Sequence, residues 1–179
     1  PEPGDRPDLG RYLDFVKAQI RELCGGRYGK ISAFWWDMNV PEHQDPSINA
    51  LIKELQPGCL INNRGYGPGD FSTPEREWDS NRSWQAYEQK VEACNSLDAL
   101  AWGFRGDPEF YTAHHLEAAI CKYLSRGGNY LINVGPDGSG AIREEYRSRL
   151  LEIGSWFRRV RPALAGAAVI EPLPAAASQ

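Results

Sequence analysis

The chain has no basic run, no long apolar run and no closely spaced pair of cysteines. With 20 Lys and Arg against 24 Asp and Glu, the formal net charge is -4. No cationic strip is available to neutralise phosphates, so a nucleic-acid partner is not expected. Crossing a bilayer takes ~20 consecutive apolar residues, and no stretch approaches that, so no membrane partner is expected either. The four cysteines, Cys24, Cys59, Cys94 and Cys121, form no C-x-x-C pair, and His43, His114 and His115 stand at no ligand spacing from them. A zinc site is therefore not expected. Cys24, Cys59 and Cys121 lie in apolar periodic segments and read as small buried hydrophobes. Cysteine pairing is not legible in a sequence, so disulfides stay open. Internal repeats are missing too. The chain opens at Pro1 without Met or a signal-peptide pattern. The expectation is that processing or truncation removed the original start, which leaves the compartment open.

What is present is an ordinary globular composition, 41% hydrophobic and 25% charged over 179 residues, enough for one domain with a sizeable core. Six Trp and eight Tyr are more pointed. A pyranose ring offers an apolar C–H face to a flat π surface, so sugar sites use such residues, although any one Trp also serves as core.

Periodicity divides the chain into alternating elements. Asp8 caps a predicted helix running to Cys24, with Tyr12, Phe15, Val16, Ile20 and Leu23 at helical spacing and Gly25-Gly26 as its stop. Lys30–Trp36 (KISAFWW) reads as a buried strand. A helix over 46–56 ends at Pro57-Gly58, and CLIN (59–62) reads as a second buried strand. The polar stretch 64–89 is a functional loop or a disordered insertion, and its Trp78, Trp84 and Tyr87 favour an ordered loop. A short strand is predicted over 93–97 and a helix over 108–126, with Leu116, Ile120, Tyr123 and Leu124 on one face. YLINV (130–134) is a third clear strand. The last helix spans 142–159, with Leu150, Leu151, Ile153, Trp156 and Phe157 as its apolar set, before an Ala/Pro-rich tail. Such alternation means an α/β fold with a parallel sheet. It fits either a small doubly wound sheet or part of a (β/α)₈ barrel, of which ~250 residues make a whole one.

In both architectures chemistry sits at the C-terminal ends of strands. Asp37 ends KISAFWW, and Asn63 and Arg64 end CLIN. Asn133 lies in YLINV, followed by Gly135-Pro136-Asp137. A charged residue there is often a mere cap or turn, but Asp37 and Arg64 end successive strands and should open on one face. Glycoside hydrolysis needs two carboxylates flanking the scissile bond. With Asp37 as the first, Asp70, Glu75, Glu77 and Glu92 are all open as the second.

The motifs resemble those of family-29 glycoside hydrolases, the α-L-fucosidases. AFWWDMN resembles the strand that carries the family's nucleophile. INNRGYGPGDFSTPE resembles the Asn-x-Arg segment running on to Asp-Phe-x-Thr-x-Glu. VEACNSLDALAWGF is similar to the Trp-Glu-x-Cys…Trp-Gly-Tyr stretch, with Val91 in place of the usual Trp and Phe104 in place of the usual Tyr. SRGGNYLINVGPDGSGAI is similar to the Gly-Gly-Asn…Asn-x-Gly-Pro segment. The likeness covers about residues 10–160.

That resemblance implies the C-terminal half of a (β/α)₈ TIM-type barrel over residues 1–165, with a tail over 166–179. It implies a retaining α-L-fucosidase acting on a fucosylated oligosaccharide or glycoprotein glycan without metal or organic cofactor, in a secreted or periplasmic setting. Asp37 would be the nucleophile and Glu75 the general acid/base, with Trp35, Arg64 and Trp102 contacting the sugar. In a retaining site the two carboxyl groups stand ~5–5.5 Å apart. Arg64 beside Asp37 would favour its anion, and an apolar setting beside Trp78 or Trp102 would keep Glu75 protonated. The family's first barrel strands, with their His residues, have no counterpart here, nor does its β-sandwich. His114 and His115 read as surface or cap residues. The second reading is therefore an inactive half-barrel remnant that binds glycans weakly or forms a homo-oligomer through its open sheet edge.

Overall fold

The computed structural model describes Gly4 and residues 6–37, 45–76, 90–125 and 127–166. Among these lie four helices and five strands in two sheets with parallel pairing. The fold is α/β, part of a (β/α)₈ barrel. The chain divides into two compact units, Pro1–Phe71 and Ser72–Gln179. The expected tail beyond Gly166, the loop residues Trp78, Trp84 and Tyr87, and also Glu77 and His43, lie outside the described residues.

The first unit holds α1 (Leu9–Cys24), β1 (Ala33–Phe34), α2 (Pro46–Leu55) and β2 (Leu60–Ile61). Asp8 caps α1 by accepting from the Arg11 amide at 3.0 Å. Asp45 caps α2 through the Ser47 amide, with Pro46 in the first turn. Val16, Ile20 and Cys24 of α1 meet Ile48 and Ile52 of α2 over Cys59, Ile61 and Tyr66. Tyr12, Phe15 and Leu23, expected with them, form an exposed flank instead. Spacing identifies an amphipathic helix, but not how far its neighbours wrap around it.

The expected strand 30–36 shrinks to two laddered residues. Ala33 pairs with Leu60 and Phe34 with Ile61. Phe34 and Ile61 turn toward the helices, while Ala33 and Leu60 turn the other way and are exposed. Parallel strands ordinarily bury both faces, and Leu60 at 52% exposure shows one face uncovered.

A short strand β3 (Phe71–Ser72), not expected from the sequence pattern, falls at the boundary of the units. The second unit contains β4 (Lys90–Ser96), α3 (Ala113–Leu124), β5 (Asn129–Asn133) and α4 (Glu144–Gly166). β4 and β5 pair in parallel from Glu92 with Asn129 to Ser96 with Asn133. Leu97, Leu116, Ile120, Tyr146 and Ile153 form the core beside them. Leu131, on the opposite face of β5 from Tyr130 and Ile132, is 45% exposed. Leu151, expected in the apolar set of α4, is also exposed.

Helix α3 begins at Ala113, later than its expected start at Pro108. Residues 108–111 are spent on backbone pairing, because Ala99 donates to the Glu109 carbonyl at 2.7 Å and Tyr111 to that of Leu97 at 3.1 Å. Thr112 then caps the helix through the His115 amide. Helix α4 runs past its expected end at Arg159, through Pro162, to Gly166. Ala163 and Leu164 are strong helix formers and carry it on.

Candidate functional site

Three of the five expected site residues meet in the first unit. Arg64 donates from Nη1 to Asp37 Oδ1 at 3.0 Å. The Arg64 guanidinium carbon lies 5.7 Å from the centre of the Trp35 ring, and the Phe71 ring meets Trp35 edge-on at 5.8 Å. The Arg64 side chain is 17% exposed and the Asp37 side chain 65%. A mostly buried guanidinium therefore presents an open carboxylate next to an indole.

The side chain of the first Asn in the INNRG segment builds this arrangement. Asn62, fully buried, accepts from the Trp36 amide through Oδ1 and donates through Nδ2 to the Trp36 carbonyl, both at 2.8 Å. This two-bond clamp continues the β1–β2 pairing where the backbone ladder stops. It fixes Trp36 next to Asp37, while Asn62 itself lies two residues before Arg64. Trp36 is framework rather than surface, since its Nε1 donates to Asn49 Oδ1 at 3.0 Å and its ring packs edge-on against Tyr66. Trp35 and Trp36 point to opposite sides, as period-2 geometry requires. Gly65 makes the fit possible, because a Cβ there would stand 2.0 Å from the Trp36 ring.

Asp70, one of the four rival acids, is consumed structurally. Its Oδ2 accepts from Lys53 Nζ at 2.6 Å and from the Ile61 amide at 2.8 Å. Burial is the largest influence and raises its pKa, yet the Lys53 and Ile61 bonds together outweigh it and hold the carboxyl below its ordinary value. An acid so held is ionised at neutral pH and unsuited to donating a proton. A depressed folded value means its stabilisation is complete above the unfolded value of about 3.9 and fades as pH falls through the folded one. Urea titrations should therefore show Asp70→Asn less stable than the parent at pH 6, with the gap closing at pH 3. Since Lys53 and Asp70 are each about a third exposed or more, the gap is about 1 kcal/mol or less. A gap that widens toward low pH contradicts the ionised pair.

In the second unit Glu75 is exposed and bridges in parallel to Cys94 of β4. The next residue, Arg76, lays its guanidinium carbon 4.4 Å from the centre of the Trp102 ring. Trp102 sits in the loop after β4, 37% exposed. Its carbonyl accepts from Asn133 Nδ2 at the end of β5. Gly135 lets the next loop approach, since a Cβ there would stand 2.4 Å from the Gly103 backbone. Buried Asp98 accepts from the Leu100 amide at 2.9 Å and faces Arg105 at 3.6 Å. Arg143 donates to the Gly106 carbonyl at 2.9 Å. Asp137, after Gly135-Pro136, is a turn residue: its Oδ1 accepts from the amides of Ser139 and Ala141, and these bonds, led by that of the Ser139 hydroxyl, lower its pKa.

The family model for alpha-L-fucosidase matches residues 2–160. The chain belongs to the alpha-L-fucosidase family. Alpha-L-fucosidase isoenzyme 1 from Paenibacillus thiaminolyticus superposes with a TM-score of 0.76 at 29% identity, over 94% of this chain and 44% of that one. The plasma alpha-L-fucosidase of Homo sapiens is 36% identical over 156 aligned residues, which cover 63% of this chain and 32% of the relative. The tissue alpha-L-fucosidase of Rattus norvegicus is 34% identical over 83 residues, 45% of this chain and 18% of the relative. The chain thus spans less than half the length of each.

The strand-end residues Asp37 and Arg64 form one ion pair beside Trp35 in the first unit. In the second, Glu75 and Trp102 are linked through Arg76. Arg76 and Asp98 support this arrangement without being singled out by the motifs, whereas Asn62 is the Asn of the Asn-x-Arg segment. Asn62 and Asp98 carry one usable signal, a polar residue inside or just after an apolar strand. Arg76 carries none, since an arginine after Glu75 looks like any surface charge. Of the other rival acids, Glu92 lies on β4 opposite Asn129, and Glu77 is outside the described residues. His114 is exposed, and half-buried His115 stacks on Tyr111 at 4.5 Å.

Proposed function

We propose that these 179 residues carry the nucleophile-bearing half of a retaining α-L-fucosidase site and that, by themselves, they form a catalytically silent half-barrel. The observation behind this is the Trp35–Arg64–Asp37 constellation at the ends of two paired parallel strands. In a complete barrel Asp37 attacks C1 of an α-L-fucosyl unit, the aglycone leaves as its oxygen takes a proton from Glu75, and Glu75 then draws a proton from the water that hydrolyses the β-linked fucosyl-enzyme. Arg64 holds the Asp37 carboxylate in place, and Trp35 and Trp102 offer flat faces to the deoxy-sugar. Fucosylated glycans are the substrate class.

Silence of the half follows from what is open. Leu60 and Leu131 lie bare on their strands, Asp37 is largely exposed, and the chain covers less than half of the solved relatives with this fold. Catalysis requires groups held from several sides, so these residues alone bind a glycan weakly at best. The uncovered strand faces also favour self-association. A relative named for plasma favours a secreted setting.

The test is nitrophenol release from 4-nitrophenyl α-L-fucoside. The 179-residue chain should match the buffer blank. A fusion joining it to the portion of the Paenibacillus isoenzyme that has no counterpart here should turn over, with α-L-fucose as the first product seen by NMR. Efficient turnover by the chain alone removes the silent half-barrel. First release of β-L-fucose from the fusion removes the retaining nucleophile.

A further inference from the structure

We propose that Arg76 is a positioning residue that yokes Glu75 to Trp102 and leaves only one face of the Trp102 indole to the sugar. This rests on the roles given above to Glu75 and Trp102. Arg76 has φ of +46°, the one positive value among the described non-glycine residues. Left-handed backbone is unfavourable for a residue with a Cβ, and it persists where surrounding contacts enforce it. Here the enforcing contacts are backbone bonds to β4 and side-chain bonds to Ser96 and Ala99. The Arg76 amide donates to the Cys94 carbonyl at 3.2 Å, and the Cys94 amide to that of Pro74 at 2.9 Å. The extended run beside β4 therefore carries through Glu75 to the left-handed Arg76.

The side chain spends the same residue a second time. Nη2 donates to Ser96 Oγ at 2.7 Å, and Nη1 donates to the Ala99 carbonyl. Ser96 is the last residue of β4 and is buried. Ala99 opens the loop that carries Trp102. A rigid guanidinium fork satisfied at two points has little freedom, and its third contact is the indole. At 4.4 Å from the ring centre the cation covers one π face. A sugar C–H face stacking on Trp102 must take the other face. One guanidinium thus sets the backbone next to the acid and the plane of the pocket wall.

The first test uses the 179-residue chain and needs no activity. A ¹H–¹⁵N spectrum shows the indole N–H of each of the six Trp, and the Trp102 signal is the one lost in Trp102→Phe. Arg76→Gly keeps the left-handed turn without strain and removes the guanidinium. The Trp102 signal should then shift and broaden while those of Trp35 and Trp36 stay in place. Arg76→Lys keeps the charge but loses the fork, and should also move the Trp102 signal, by less. A Trp102 signal unmoved in either variant overturns the proposal, and Arg76→Lys decides should Arg76→Gly fail to fold.

The second test is a double-mutant cycle in the active fusion. Arg76→Gly should lower kcat/KM about tenfold, yet have little further effect in a Trp102→Ala background. Equal losses in both backgrounds overturn the yoke. Trp102→Ala without effect on kcat/KM defeats instead the reading of Trp102 as a pocket wall, and the indole spectrum still decides whether Arg76 holds it.

Discussion

In the active fusion, Asp37→Gly should lower kcat for an aryl α-L-fucoside by about 10⁴-fold, roughly 5 kcal/mol of lost transition-state stabilisation. Sodium azide should restore part of the rate, with β-L-fucosyl azide as the product. Each part of that expectation has a physical source. Attack by Asp37 would invert C1 and leave a β-linked enzyme ester. An azide ion arriving from the same side inverts C1 once and is not displaced again, so the β-azide accumulates. Glycine leaves the space that the carboxylate occupied. It also deprives Arg64 of its 3.0 Å partner, so a poorly exposed guanidinium waits beside the vacancy for an anion. Recovery should therefore be saturable in azide and weaker in Arg64→Ala,Asp37→Gly. Near-normal turnover by Asp37→Gly, with no azide product, would remove Asp37 from the reaction.

Much of this arrangement is legible in the order of the amino acids, for reasons that differ from element to element. Caps are local chemistry, so Asp8 marks the start of α1, and Pro46 opens α2 where the second helix is expected. Apolar spacing finds the buried face of α3, where Leu116, Ile120 and Tyr123 are covered. The rule that polar residues ending parallel strands converge picks out Asp37 and Arg64, and they pair. The features that escape are non-local. β1 and β2 ladder over two residues each, and the rest of the registration comes from the side chain of Asn62, 26 positions from Trp36. Pattern cannot distinguish such a clamp from an ordinary turn asparagine. Tyr12, Phe15 and Leu23 satisfy helical spacing and are nevertheless exposed, because period reports amphipathicity and coverage depends on neighbours. The start of α3 is displaced for a similar reason, since Glu109 and Tyr111 pair with Ala99 and Leu97 across an intervening loop.

The complementary experiment concerns Glu75 and turns on the leaving group. In the active fusion, Glu75→Ala should lower kcat/KM for a natural alkyl glycoside linkage by about 10²–10⁴-fold, the usual worth of a general acid. For 4-nitrophenyl α-L-fucoside the loss in kcat/KM should stay within about tenfold, because a nitrophenolate of pKa near 7 departs with little protonation. The second step still lacks its base, so the fucosyl-enzyme should accumulate and appear as a burst. Azide needs no deprotonation, and here it would displace Asp37 from an ester already inverted once. The product should be the α-azide, opposite in configuration to that from Asp37→Gly. This stereochemical opposition separates the two roles without assuming any distance between the carboxylates. It also arbitrates between the remaining acids. Asp70 is bound to Lys53 and the Ile61 amide and should leave the leaving-group ratio alone when changed to Asn. Glu92 stands on β4 opposite Asn129, and Glu92→Ala should likewise leave it alone. A Glu92 variant that yields the α-azide, beside a Glu75 variant that does not, would transfer the acid/base role to Glu92. The yoke through Arg76 would then hold only the indole.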